Sequence, residues 1–163
     1  MASSSQPGQA HPQATIARLG SPLRQQLGNY LTVGAGNYVI VHNGTFSIAC
    51  IPFRTYGLAL GDRVVLSDDD EVAEVVALSW HRVLRLLFVP GLAPTQLAQA
   101  VDRIKNGIST AGLLNEWSGD RRVAVDIPPN TDASRLFEIM EHEVTEGRAF
   151  WEWADAMPFS ARR

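Results

Sequence analysis

His81 is the side chain in this chain best suited to chemistry, because an imidazole gives or takes a proton near neutrality and can also bind a metal. It stands in Ser79-Trp80-His81-Arg82, just ahead of the apolar run Val83 to Val89. As a general base it would need an acid to orient it, and Asp62 is the carboxylate assigned to that role. The bland reading competes: a histidine at a strand corner that bonds only to backbone. Cys50 is the single cysteine. An intramolecular disulfide and a multi-thiolate zinc site are thereby excluded, and its alternation with Ile48 favours packing over reactivity.

Two acidic clusters invite a metal reading. The run Asp68-Asp69-Asp70-Glu71 lacks the alternate oxygen ligands and central glycine of a calcium loop, so a solvated hairpin tip is expected. In Glu141-His142-Glu143 consecutive residues point in different directions on a helix, and the spaced pair Glu138 and His142 supplies too few ligands. Solvated helix surface is the expectation there, and no motif calls for a metal or a cofactor.

The elements around these residues follow from periodicity. Residues 1–14, rich in Ser, Gln, Pro and Gly, read as a disordered tail without a secretory apolar stretch. Ser21-Pro22 opens a turn or two of helix before Gly28. Tyr38 to Val41 and Phe46 to Cys50 flank Asn43-Gly44, the favoured two-residue hairpin turn. Val64 to Leu66, Val72 to Leu78 and Val83 to Val89 are further strands. Between them the stretch Ile51 to Ser67 carries Gly57, Gly61 and Asp62, which suit a corner with a positive backbone angle at Gly61.

Helical spacing takes over after Pro90. Leu97, Val101, Ile104 and Ile108 share one face of a helix opened by Pro94 and closed at Gly107 or Gly112. A strand spans Arg122 to Ile127. Thr131 or Asp132 caps a second helix with Leu136, Phe137, Met140 and Val144 on its inner face, ending at Gly147. The last strand, Ala149 to Ala154, places Trp151 and Trp153 on one face and Phe150 on the other.

The expected class is α+β: a small antiparallel β-barrel-like part followed by a ferredoxin-like α/β sandwich with its helices on one face. Boundaries are drawn at 1–14 for the tail, 15–90 for the barrel-like part, 83–155 for the sandwich sharing strand 83–89, and 156–163 for a second tail. Net charge is −3, with the acidic excess in the back half. No row of Lys and Arg of the kind that binds nucleic acid is present. Of the basic residues only Lys105 is a lysine, an arginine bias that suggests GC-rich bacterial coding. No apolar run reaches the roughly 20 residues needed to span a bilayer, so a cytoplasmic protein without membrane contact is expected.

The run Ile51 through Val89, with IPF, GLALGD, an Asp-rich turn, EVV and a histidine before an apolar strand, resembles a bacterial family known only as domain of unknown function 4265. Members are similar in size and in the order of barrel, then helices. The resemblance implies fold and not activity. The functional expectation therefore comes from the residues themselves: a non-enzymatic binding protein, of immunity or regulatory type, that recognises a protein or peptide partner. Trp80, Trp151, Trp153 and Tyr56 are its candidate contacts. The alternative is a small hydrolase or isomerase that uses His81 and Asp62.

Overall fold

The computed structural model describes the strand backbone at residues 24–27, 30–33 and 36–40, and residues 44–53, 55–68 and 71–154 in full. The tails assigned to 1–14 and 156–163, and the cap at Ser21-Pro22, lie outside the described residues.

Six strands form an open antiparallel meander in chain order: β1 (Arg24–Leu27), β2 (Tyr30–Val33), β3 (Gly36–Ile40), β4 (Phe46–Ile48), β5 (Arg63–Leu66) and β6 (Val72–Ala77). No pairing joins β6 to β1 among the described residues, so the sheet is not closed into a barrel. The helix expected before Gly28 is a strand, because Arg24 to Leu27 pairs with Tyr30 to Val33 and the ladder overrides a weak amphipathic pattern. The β3–β4 hairpin exists, but Ile40 pairs with Phe46, which makes the loop longer than Asn43-Gly44 alone. Phe46, Ile48 and Val64 bury a small core of their own, with Leu66, Val72 and Val75 against it. Register slips in the β5–β6 ladder let Val72 and Val75, an odd spacing, face that core together and leave Val76 outside.

A second sheet has the order β10-β7-β9-β8 and is antiparallel throughout. Its elements are β7 (Arg82–Phe88), α1 (Pro94–Thr110), β8 (Asn115–Ser118), β9 (Arg122–Ile127), α2 (Ser134–Thr145) and β10 (Ala149–Trp153). The chain thus runs β-α-β-β-α-β, one strand more than periodicity suggested. Asn115 to Ser118 is short and carries no apolar alternation, so β8 shows itself only through its pairing with β9.

Both helices cover one face of this sheet. Leu84, Leu86 and Phe88 of β7 and Val123 and Val125 of β9 meet Leu97, Ile104 and Ile108 of α1 and Leu136 and Met140 of α2. Each such side chain contributes about 1.5–3 kcal/mol by leaving water, which makes this the principal core. Pro94 starts α1 as expected, and Gly112 follows the Ala111 cap. Gly107 instead sits buried inside the helix, where a Cβ would lie 2.8 Å from Ile139 Cδ1, so it permits the close approach of α2. The N-cap of α2 is Ala133, not Thr131 or Asp132; just before it the Asp132 carboxylate accepts the Ser134 N–H at 3.0 Å and lies below its ordinary pKa through the Ser134 hydroxyl and backbone amide.

The opposite face of the second sheet is covered by the chain between β4 and β5. Ile51 and Ala59 pack on Val83, Ala124 and Ala154. Arg85, buried on that face, donates to the Pro52 carbonyl at 3.2 Å and to the Thr55 carbonyl, fastening the loop to the sheet.

Candidate functional site

The candidate site lies where the end of β6 leads into the start of β7. Asp62 anchors the turn at the base of this corner. Its Oδ2 accepts the Ala59 N–H at 2.8 Å, and its Oδ1 accepts the Ser79 N–H at 2.7 Å and the Ser79 hydroxyl at 2.8 Å. Gly61, with φ +82°, makes the turn possible as expected, since a side chain there would be strained and would press on Ser79 Cβ at 3.3 Å.

Asp62 therefore does not serve as the acid for His81. Both of its oxygens are taken up by the corner, and the imidazole turns to a different carboxylate. Nδ1 of His81 lies 2.9 Å from each oxygen of Asp126, a β9 residue only 1% exposed. A carboxylate only accepts, so Nδ1 carries a proton whether the ring is neutral or charged, and Nε2 is the nitrogen that Asp126 does not engage. Burial pushes the Asp126 carboxyl above its ordinary range, and the hydrogen bond and charge of His81 pull against that rise. The His81 N–H donates to Ser79 Oγ at 3.2 Å, which ties its backbone to the same Asp62 clamp.

Asp126 was legible in one respect. It is an acid within the otherwise apolar strand Arg122 to Ile127, and a carboxylate there needs a partner. Which partner depends on register: Val83 stands opposite Asp126 on β7, and that places His81 beside it.

A hollow of about 280 Å³ opens here, lined by Leu58, Ala59, Asp62, Leu78, Trp80 and His81 among others. Two apolar side chains of its lining are open to solvent, Trp80 at 73% and Leu78 at 53%, and Val76, two residues before Leu78, is 42% exposed. Trp80 also holds φ +64°, a left-handed angle that costs a bulky residue on the order of 1 kcal/mol or more.

The other expected contact residues sit elsewhere. Trp151 and Trp153 face the helices and pack against Phe137, with ring centroids at 6.0 and 5.7 Å, so the tryptophan-bearing face of β10 lies half-buried against the core. The guanidinium of Arg82 stacks 3.7 Å above the Trp153 ring. Tyr56 is exposed, but its hydroxyl donates to Glu152 at 2.9 Å, which raises the phenol pKa. Cys50 is half-buried and in no disulfide.

The helix surface expected at Glu141-His142-Glu143 holds for the first two only. Glu143 is fully buried, bound by Arg103 Nε and Arg148 Nε at 2.6 Å each. Its spacing of three from Met140 continues the inward stripe, a signal that marks it as buried and paired. No cluster of three or more metal-ligating side chains occurs among the described residues. No helix among them is long and apolar enough to cross a membrane.

The sequence pattern of the family described as "Domain of unknown function (DUF4265)" matches residues 38–153, and the chain belongs to that family. The match extends well past Ile51 to Val89 on both sides. Among solved structures the chain is similar to one titled "Novel crystal structure of a hypothetical protein from Neisseria gonorrhoeae", with a TM-score of 0.58 and 17% identity, covering 73% of this chain and 82% of that one. At that identity the likeness bears on the fold alone. No curated protein matches the sequence.

Proposed function

We propose that this DUF4265 protein is a non-enzymatic bacterial binding protein of the cytoplasm, of immunity or regulatory type, that recognises a protein or peptide partner at the rim of the His81 hollow. The observation that carries the reading is Trp80: a large aromatic side chain 73% exposed at a left-handed backbone position. Exposure of an indole is unfavourable in water, and the backbone angle adds to that cost, so the arrangement is best explained by a contact made outside the chain. Leu78 and Val76 extend the same apolar surface along the end of β6. In this reading the β-α-β-β-α-β half is a ferredoxin-like sandwich that supports the surface, and the meander is a barrel-like platform that stops short of closure.

A photo-crosslinker placed at position 78 in living cells tests the reading. Capture of one defined protein, lost in Trp80→Ala and retained in Phe150→Ala, is the expected result. Phe150 is 63% exposed and stands opposite Leu87, away from the residues that line the hollow, so it controls for exposed apolar surface as such. Loss of capture through Phe150 with Trp80 dispensable would move the interface there and overturn the assignment.

A second reading is favoured by one observation, the hold of buried Asp126 on His81. Orientation by a carboxylate is what a general base needs, and a small hydrolase or isomerase could use Nε2 within the hollow. Asp62 would then position the corner rather than take part in proton transfer. A folded His81→Gln variant that retains full biological activity excludes this reading.

A further inference from the structure

We infer that the partner segment seated on Val76, Leu78 and Trp80 is basic, with Lys or Arg side chains at one end and an apolar side chain at the other that enters the His81 hollow. The inference rests on the binding reading above and specifies the chemistry of what is bound. It starts from how the carboxylates are distributed. Several of those in the helical half are compensated within the chain: Glu143 by Arg103 and Arg148, Glu146 by Arg148, Glu138 by Arg135, and Glu152 by Arg85, while Asp102, Glu116, Asp132 and Glu141 stand scattered and in no ion pair among the described residues. The hairpin joining β5 and β6 concentrates such acids. From Asp68 through Trp80 the sequence holds Asp68, Asp69, Asp70, Glu71 and Glu74 and no Lys or Arg. Asp68, Glu71 and Glu74 are exposed, and no ion pair engages any of them among the described residues.

This uncompensated charge lies at one end of β6 and the exposed apolar rim lies at the other. A strand rises about 3.3 Å per residue, so Glu74 and Trp80 are separated by roughly 20 Å at most. Glu71 lies three residues further out, so an extended segment of about nine residues spans the whole surface, with its cations over Glu71 and Glu74 and its apolar end at Leu58, Leu78 and Trp80. Charge complementarity would set the orientation and speed the encounter, while burial at Trp80 would supply most of the affinity. Recognition is through side chains, since the register slips that leave Val76 outside the ladder also bend this edge away from regular strand addition.

The test uses the full chain and two synthetic peptides about nine residues long. One has lysines at one end and a phenylalanine at the other; the second has glutamates in place of the lysines. Titrations followed by tryptophan fluorescence should show saturable binding of the lysine peptide alone, weakened by added salt. The double variant Glu71→Lys/Glu74→Lys should weaken that binding about tenfold and transfer preference to the glutamate peptide. Leu78→Glu should abolish binding of the lysine peptide. Equal affinity for the two peptides overturns the basic assignment and leaves the binding surface in place. Absence of saturable binding by either removes both. A dimer in sedimentation that Leu78→Glu dissociates would put a second copy of this chain on the rim and overturn the assignment of a basic partner.

Discussion

Nδ1 of His81 meets both carboxylate oxygens of Asp126 at 2.9 Å, joining the corner before β7 to the end of β9 across the register pair Val83 and Asp126. The contact fixes the imidazole tautomer and satisfies an acid that the sheet has almost wholly removed from water. Asp126→Ala should cost about 1–2 kcal/mol, because the imidazole nitrogen it leaves behind is partly open to water. Urea denaturation measures the loss. Nitrogen NMR of the imidazole should show the Nδ1–H tautomer in the native protein and a mixture in the variant; an unchanged tautomer ratio would mean that Asp126 does not hold the ring.

Trp80 and Trp153 should separate binding from stability. Trp80→Gly removes an exposed ring and relieves a left-handed angle, so it should leave stability unchanged or raise it by up to about 1 kcal/mol. Partner association should nonetheless weaken by more than about 1 kcal/mol. Trp153→Ala should act in reverse, costing about 2–3 kcal/mol of stability through lost packing on Phe137 and Arg82. Thermal melts paired with partner titrations decide, and a destabilised Trp80→Gly would show that this ring serves the fold.

Much of the helical half could be read from sequence because its apolar residues recur at helical spacing and its ends carry Pro94, Asp132 and Gly147. The four-residue β8 could not be read, since its sequence is mostly polar and only β9 organises it. The same limit applies to the site. His81, Trp80 and the Gly61 corner are local features of sequence, whereas the acid that serves His81 is brought from β9 by strand pairing. Asp62, the acid expected from the sequence, is claimed instead by the Ala59 and Ser79 backbone amides. Trp151 and Trp153 alternate correctly, but alternation alone does not say which face of a strand the helices will cover.

Gly61→Val should destabilise the protein by more than about 1 kcal/mol, since a β-branched residue tolerates φ +82° poorly and its Cβ would meet Ser79. The strain acts on Ser79 and through it on the Asp62 clamp. Gly61→Asn, better suited to that angle, should cost less. Equal losses for the two variants in chemical denaturation would show that space at Ser79, not the backbone angle, sets the penalty.

Glu143 and Asp126 should leave opposite marks on stability at acid pH. Burial alone would raise the Glu143 pKa, but hydrogen bonds and charge from Arg103 and Arg148 outweigh it and hold the carboxyl below the ordinary glutamate value. Its contribution is therefore complete above that value, about 4.3, and is lost as pH falls through the lowered folded pKa. Asp126 is raised by burial against the pull of His81, so it favours the fold when protonated: its contribution is present below the ordinary aspartate value, about 3.9, and is lost as pH rises through the raised folded pKa. Denaturation measured from acid to neutral pH should show Glu143→Gln about 3 kcal/mol less stable than the native protein at neutral pH, with the gap closing toward acid. Asp126→Asn should instead gain relative to the native protein as pH rises out of the acid range. A Glu143→Gln deficit that does not vary with pH would mean that the buried carboxylate stabilises by its shape and hydrogen bonds, with no part played by its charge.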